Sequence, residues 1–139
     1  MNPPSPETQV IGLMDLNNKI QKTLSSALSV HGVGVSEFLV LRQLQGAPSQ
    51  TMRRIDLAQA VGLSASGVTR LLNPMEKLGL VQKEQSPRDA RVSLVSLSKA
   101  GKRVGRELDV TFANTAKHLL APMSVENRKT LFDLIGKLS

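Results

Sequence analysis

The stretch VGLSASGVTRLLNPMEKLG, residues 61–79, decides the fold. Gly62 and Leu63 make a tight turn and Ser64 is a capping residue. After it Val68, Leu71, Leu72, Met75 and Leu78 recur at three- and four-residue spacing. That is the inward stripe of a helix with a capped start. Gly79 ends it, and Pro74 inside it removes a backbone donor and predicts that the helix kinks or is segmented near Asn73. The opposite face carries Ala65, Ser66, Thr69, Arg70 and Asn73. Upstream, Ile55, Leu57, Ala58 and Val61 predict a short helix over about 54–61, with Arg53 and Arg54 at its start instead of a capping residue. Two helices joined by a short glycine turn form a helix-turn-helix unit, whose second helix enters the major groove of DNA. Arg70 then suits guanine and Asn73 adenine. Ser64, Ser66 and Thr69 suit phosphate at the positive end of the helix. A capped surface helix with a solvated face explains the same residues equally well, so the neighbouring segments have to decide.

Working outward, residues 80–84 and 92–97 read as two strands around the polar turn Gln85-Ser-Pro-Arg-Asp-Ala-Arg91. They form a hairpin whose tip, with Arg88, Asp89 and Arg91, is too charged for an interior connection. An arginine tip suits a narrow, electronegative minor groove, and Asp89 is placed to hold the Arg91 guanidinium by a bidentate pair. The competing account of that pair is an exposed salt bridge worth less than about 1 kcal/mol. Before the unit, Thr51–Arg53 is a short extended piece and 46–50 a loop. Ser36 caps a helix to about Gln45, with Phe38, Leu39, Leu41 and Leu44 inward. A first helix over about 8–31 carries Leu13, Leu16, Ile20, Leu24 and Leu28, and Gly32 and Gly34 end it. After the hairpin, Ser98 caps a long helix to about Leu120, with Val104, Leu108, Phe112, Thr115 and Leu119 as its stripe. Pro122 stops it, and Ser124 caps a last helix with Val125, Leu131, Leu134, Ile135 and Leu138 inward. Residues 1–7 are proline-rich and expected to be disordered.

Charge follows the same division. Of 139 residues, 18 are Lys or Arg and 11 are Asp or Glu, a net +7. Residues 53–106 hold eleven of the basic and four of the acidic side chains, so the whole excess lies there. A one-sided segment between neutral flanks points to a polyanion, with a merely solvated basic face as the competing account. The three aromatics, Phe38, Phe112 and Phe132, with no Trp or Tyr, make modules that stack single-stranded bases poor candidates. The absence of cysteine excludes disulfides, thiolate metal sites and thiol nucleophiles. His31 and His118 have no metal-ligand spacing, and neither a metal nor a cofactor is expected. His118 and Glu107, the nearest acid–base pair on one helix, lie about 16 Å apart by helical rise, too far for proton relay. No enzyme is expected. No segment is apolar enough to span a membrane, and the N-terminus lacks a signal-peptide pattern, so a cytoplasmic protein is expected.

The ordered set Asp56-Leu-Ala58, Val61-Gly-Leu-Ser64, Ser66-Gly-Val-Thr-Arg-Leu-Leu72, Glu76-Lys-Leu-Gly-Leu-Val81, Asp89-Ala-Arg91 and Leu97-Ser-Lys-Ala-Gly101 resembles the MarR family. The resemblance covers about 54–101. It implies a mainly α fold with a small β-hairpin wing, a winged helix-turn-helix with N- and C-terminal dimerisation helices. The lobe would occupy about 36–98 and the dimerisation helices about 8–31 and 98–138 of one domain over 8–139. It further implies a bacterial or archaeal homodimeric regulator, of repressor type, that reads a palindromic duplex. By motif position the recognition role falls on Ser66, Thr69, Arg70 and Asn73, and the minor-groove role on Arg91 held by Asp89. Ala90 departs from the Arg or Gly common there, which removes one phosphate contact. Family members often release DNA on binding small anionic aromatics, for which His31, Phe38 and Arg42 mark the expected pocket. The alternative from another class is a basic protein of structured RNA or the ribosome.

Overall fold

The computed structural model describes residues 2–139, and Met1 of the expected disordered segment lies outside them. The chain forms α1 (Pro6–Ser29), α2 (Val35–Gln45), a single 3₁₀ turn (Pro48–Gln50), β1 (Thr51–Arg53) and α3 (Arg54–Ala60). There follow α4 (Ala65–Lys77), β2 (Val81–Gln85), β3 (Ser93–Leu97), α5 (Lys99–Leu120) and α6 (Val125–Leu138). The winged helix-turn-helix with long flanking helices is therefore present. The wing has a third strand: β1 and β2 both pair antiparallel with β3, in the order β1-β3-β2. Thr51 lies opposite Ser96 and Lys83 opposite Val95. No helix among the described residues is long and apolar enough to cross a membrane.

Capping chemistry explains most helix starts. Ser64, Ser98 and Ser124 each accept the backbone N–H three residues on, at 3.0, 2.9 and 3.1 Å, as expected of N-caps. At α1 the cap is Ser5, with Pro6 in the first turn. The helix thus begins at Pro6, two residues ahead of the sequence expectation, and the tail of the proline-rich stretch is a helix start, not disorder. Proline is tolerated there because the first-turn N–H groups have no intrahelical partner. At α2 the cap is Gly34, without a side-chain bond, and Ser36 lies inside the helix. Gly62, at φ +73°, closes α3: Leu63 donates to the Ala58 carbonyl at 2.9 Å. A left-handed residue at this point turns the chain between α3 and α4 at no steric cost. Pro74 does not segment α4, which runs to Lys77 and is continued by a Leu78 N–H to Pro74 carbonyl bond of 3.0 Å.

The core lies where the C-terminal end of α1, α2, α3, α4, α5 and the sheet meet. Leu28, Phe38, Val40, Leu41, Leu44, Leu57, Val68, Leu72, Met75, Val81, Val95 and Leu108 are almost fully buried there. Within the lobe Leu39, Ile55 and Leu78, expected inward, are exposed, and Val40 is buried in place of Leu39. The N-terminal half of α1 and the whole of α6 stand apart from this core. Leu13 and Leu16 of α1, and Val125, Leu134, Ile135 and Leu138 of α6, expected inward, are exposed in the single chain. A cavity of about 640 Å³ between Pro6–Leu13 and Leu134–Leu138 shows that the outer ends of α1 and α6 lie side by side.

Candidate nucleic-acid interface

The exposed face of α4 carries Ala65, Ser66, Arg70 and Asn73, with Thr69 half-buried. Val68, Leu72 and Met75 are buried behind it and fix its orientation. Ser64 and Ser66 share a hydroxyl contact of 3.3 Å at the helix start. Thr69 behaves differently from its expected role. Its hydroxyl donates to the Ala65 carbonyl at 3.0 Å and accepts from Arg54 Nη1 at 2.8 Å. A threonine hydroxyl commonly turns back to the preceding helical turn. Its proton is then not available to a phosphate in this arrangement. The Arg54 guanidinium is held against α4 by the same contact. Arg53 instead faces Asp56 on α3 at 3.9 Å, a loose exposed pair.

The wing tip has the expected fork. Arg91 Nε donates to Asp89 Oδ1 and Nη2 to Oδ2, both at 3.1 Å, and the Arg91 N–H also donates to Oδ1 at 3.0 Å. The Arg91 guanidinium, and after it the Arg91 backbone N–H, holds the Asp89 carboxyl below its usual range. Arg88 is exposed one residue earlier and its N–H donates to Ser86 Oγ at 3.3 Å. A cavity of about 260 Å³ joins these parts: Arg53, Arg54, Ala65, Val68, Arg91 and Ser93 are among its lining residues. Three arginines from β1, α3 and the wing therefore converge on the first turn of α4.

Two contacts at the other end of α4 were not foreseen. Lys83 Nζ donates to Asn73 Oδ1, and the Lys83 N–H donates to Glu76 Oε2 at 3.2 Å. A basic residue in the first wing strand was the available signal, but only the register of β2 against β3 brings it to Asn73.

The three residues of the expected effector pocket all meet one stretch of α5, Asp109–Phe112. Phe38 is buried in the core with its ring 4.9 Å from that of Phe112. Arg42 lies over the Phe112 ring at 5.1 Å and reaches Asp109 at 3.6 Å. His31 is exposed and its Nε2 shares a hydrogen bond of 2.8 Å with Thr111 Oγ1, tying the α1–α2 turn to α5. No group of three or more metal-ligating side chains occurs among the described residues.

Residues 31–92 match the model of the MarR family. The HTH-type transcriptional regulator PrsX of Escherichia coli is 25% identical over 121 residues, which is 87% of this chain and 72% of that protein. In fold the chain is similar to AbsC, a MarR family transcriptional regulator from Streptomyces coelicolor. The TM-score is 0.88 at 19% identity, over 99% of this chain and 95% of that one. A mutant MarR from E. coli complexed with operator DNA gives a TM-score of 0.84 at 22% identity, over 96% and 93%. With its capped recognition-type helix and its three-stranded wing, the chain resembles the MarR family of transcriptional regulators over residues 31–92 and shares the fold of its solved members.

Proposed function

We propose that this chain is a homodimeric repressor that binds a palindromic DNA duplex, with α4 in the major groove and Arg91 in the minor groove. One observation carries the assignment: Arg53, Arg54 and the forked Arg91 line the same cavity as the first turn of α4. A duplex presents phosphates beside each groove, so an arginine-lined concavity between a groove-reading helix and an arginine tip matches its alternation of edge and backbone. Arg70 and Asn73 on the exposed face supply base contacts, and Ser64 and Ser66 supply phosphate contacts. The exposed apolar rows of α1 and α6 supply the second half of the unit, since a second copy covers them and sets two recognition helices on one duplex. Release by a small anionic effector bound beside His31, Phe38 and Arg42 completes the proposal; Phe38 and Arg42 both meet the Phe112 ring of α5, and His31 meets Thr111 one residue before it.

The test is selection of bound duplexes from a random pool, followed by salt titration on the selected site and on structured RNA of equal charge. A palindromic motif and a clear preference for its duplex are expected. Equal binding of RNA, or a pool that stays random, overturns the assignment in favour of a non-specific basic protein.

A further inference from the structure

We propose that Asn73 and Lys83 form one guanine-reading unit, in which Lys83 of the wing sets the base preference of the recognition helix. The inference rests on the duplex-binding function proposed above. Asn73 lies in the third turn of α4, one turn beyond Arg70 on the same exposed face. An unencumbered asparagine amide offers one acceptor and one donor, which match the N6 amino group and N7 of adenine. Here Lys83 Nζ donates to Asn73 Oδ1, which takes one of the oxygen's two lone pairs and sets a cation beside the other. The Lys83 backbone is held from two sides. Its N–H donates to Glu76 Oε2 in the same stretch of α4, and the strand pairing sets it opposite the buried Val95.

What the pair chiefly presents to a base is donors, the Nδ2 hydrogens of Asn73 and the other ammonium hydrogens of Lys83, while the remaining Oδ1 lone pair lies beside the cation. Guanine is the base with two acceptors, N7 and O6, on its major-groove edge. Adenine brings its amino hydrogens toward the ammonium, and cytosine does the same with N4. Thymine meets the pair with a single acceptor. Once water is excluded, a donor facing a cation, or a cation left without an acceptor, is penalised more heavily than in solvent. The clamp therefore reverses the preference that Asn73 alone would show.

Random-pool duplex selection is run on the wild type and on Asn73→Ala, Lys83→Met and Lys83→Arg. Asn73→Ala loses preference at one position per half-site, which identifies the base pair concerned. The wild type carries guanine there. Lys83→Met, which frees Oδ1 and removes the charge, turns the position to adenine, a swing of about 5- to 150-fold in relative affinity. Lys83→Arg keeps guanine. Adenine at that position in the wild type overturns the guanine assignment alone. So does a Lys83→Met motif unchanged at weaker overall affinity, which makes Lys83 a phosphate contact. A wild type that enriches no motif overturns duplex reading itself, and this unit with it.

Discussion

The Arg91 side chain is 90% exposed, yet its guanidinium has one orientation because Asp89 grips it at two nitrogens and at the backbone. That geometry makes opposite forecasts from two effects. Asp89→Ala removes a negative charge next to DNA, so Coulomb attraction alone tightens binding. If the carboxylate serves to aim the arginine, binding weakens instead, and weakening is the expected outcome. Arg91→Ala is expected to weaken binding strongly and to lower the salt slope by about 0.9 for each phosphate that is no longer neutralised. Asp89→Ala added to it changes little, because the coupled partner is gone. A double-mutant cycle at several salt concentrations checks both. The pair also fixes a pH sign. The folded carboxyl of Asp89 titrates below its ordinary range, so the fork is intact at neutral pH and opens only as pH falls through that lowered value. In Arg91→Ala the Asp89 carboxyl resonance is expected to titrate at higher pH than in the wild type. On α4, Arg70→Ala is expected to cost about 1–3 kcal/mol on the selected site and to relax one position per half-site. A loss uniform over all sequences would make Arg70 a phosphate contact.

At the scale of the elements, the junction between wing and α5 is the tightest. A Cβ at Gly101, in the first turn of α5, would stand 2.0 Å from the Leu80 carbonyl oxygen. Ser98 donates from its N–H to that same carbonyl at 3.1 Å and from its hydroxyl to the Gly79 carbonyl. Gly101→Ala must push the helix off the strand, and destabilisation of about 1–3 kcal/mol, typical of overpacking, is expected in thermal unfolding. Ser98→Ala, which loses a cap, is expected to cost about 1 kcal/mol. The capping serines Ser64, Ser98 and Ser124 and the glycine turn at Gly62 were legible in the sequence because capping and left-handed turns are local chemistry. The orientation of Ile55 was not. An element of seven residues such as α3 has too few turns for periodicity to choose its inner face, and packing of Leu57 and Ala58 against α4 makes the choice. Leu39 and Val40 are neighbours of similar hydrophobicity, and the angle at which α2 meets the core settles which of them is buried. The pairing of β1 with β3 joins residues more than forty apart, and the Lys83–Asn73 contact depends on strand register. Neither leaves a mark in the spacing of the chain. By contrast the Asp89–Arg91 pair, two residues apart, was readable at once.

For the whole molecule, the apolar surface left over by one chain is the main determinant. Val10, Ile11, Leu13 and Met14 on α1 and Phe132, Leu134, Ile135 and Leu138 on α6 are each at least half exposed. A patch of this kind calls for a partner surface, and the mass in solution is expected to be that of two chains. Removing residues 125–139 is expected to give aggregates or a destabilised single chain. A soluble monomer of that truncation with undiminished duplex affinity would refute the role given to α6. The seat of Gly101 on the Leu80 carbonyl has its largest effect here. The 22 residues of α5 form a rod of about 33 Å that reaches from the wing toward the α1–α6 surface, and a backbone-on-backbone seat gives it no play. In the proposed homodimer, two such rods joined at their far ends would act like a pair of locked dividers. One base pair inserted between half-sites turns one of them by about a tenth of a revolution, beyond what a joint without slack accommodates. Duplexes with the spacer lengthened or shortened by one are then held no better than an isolated half-site, whereas hinged arms would give nearly constant affinity across the spacer series.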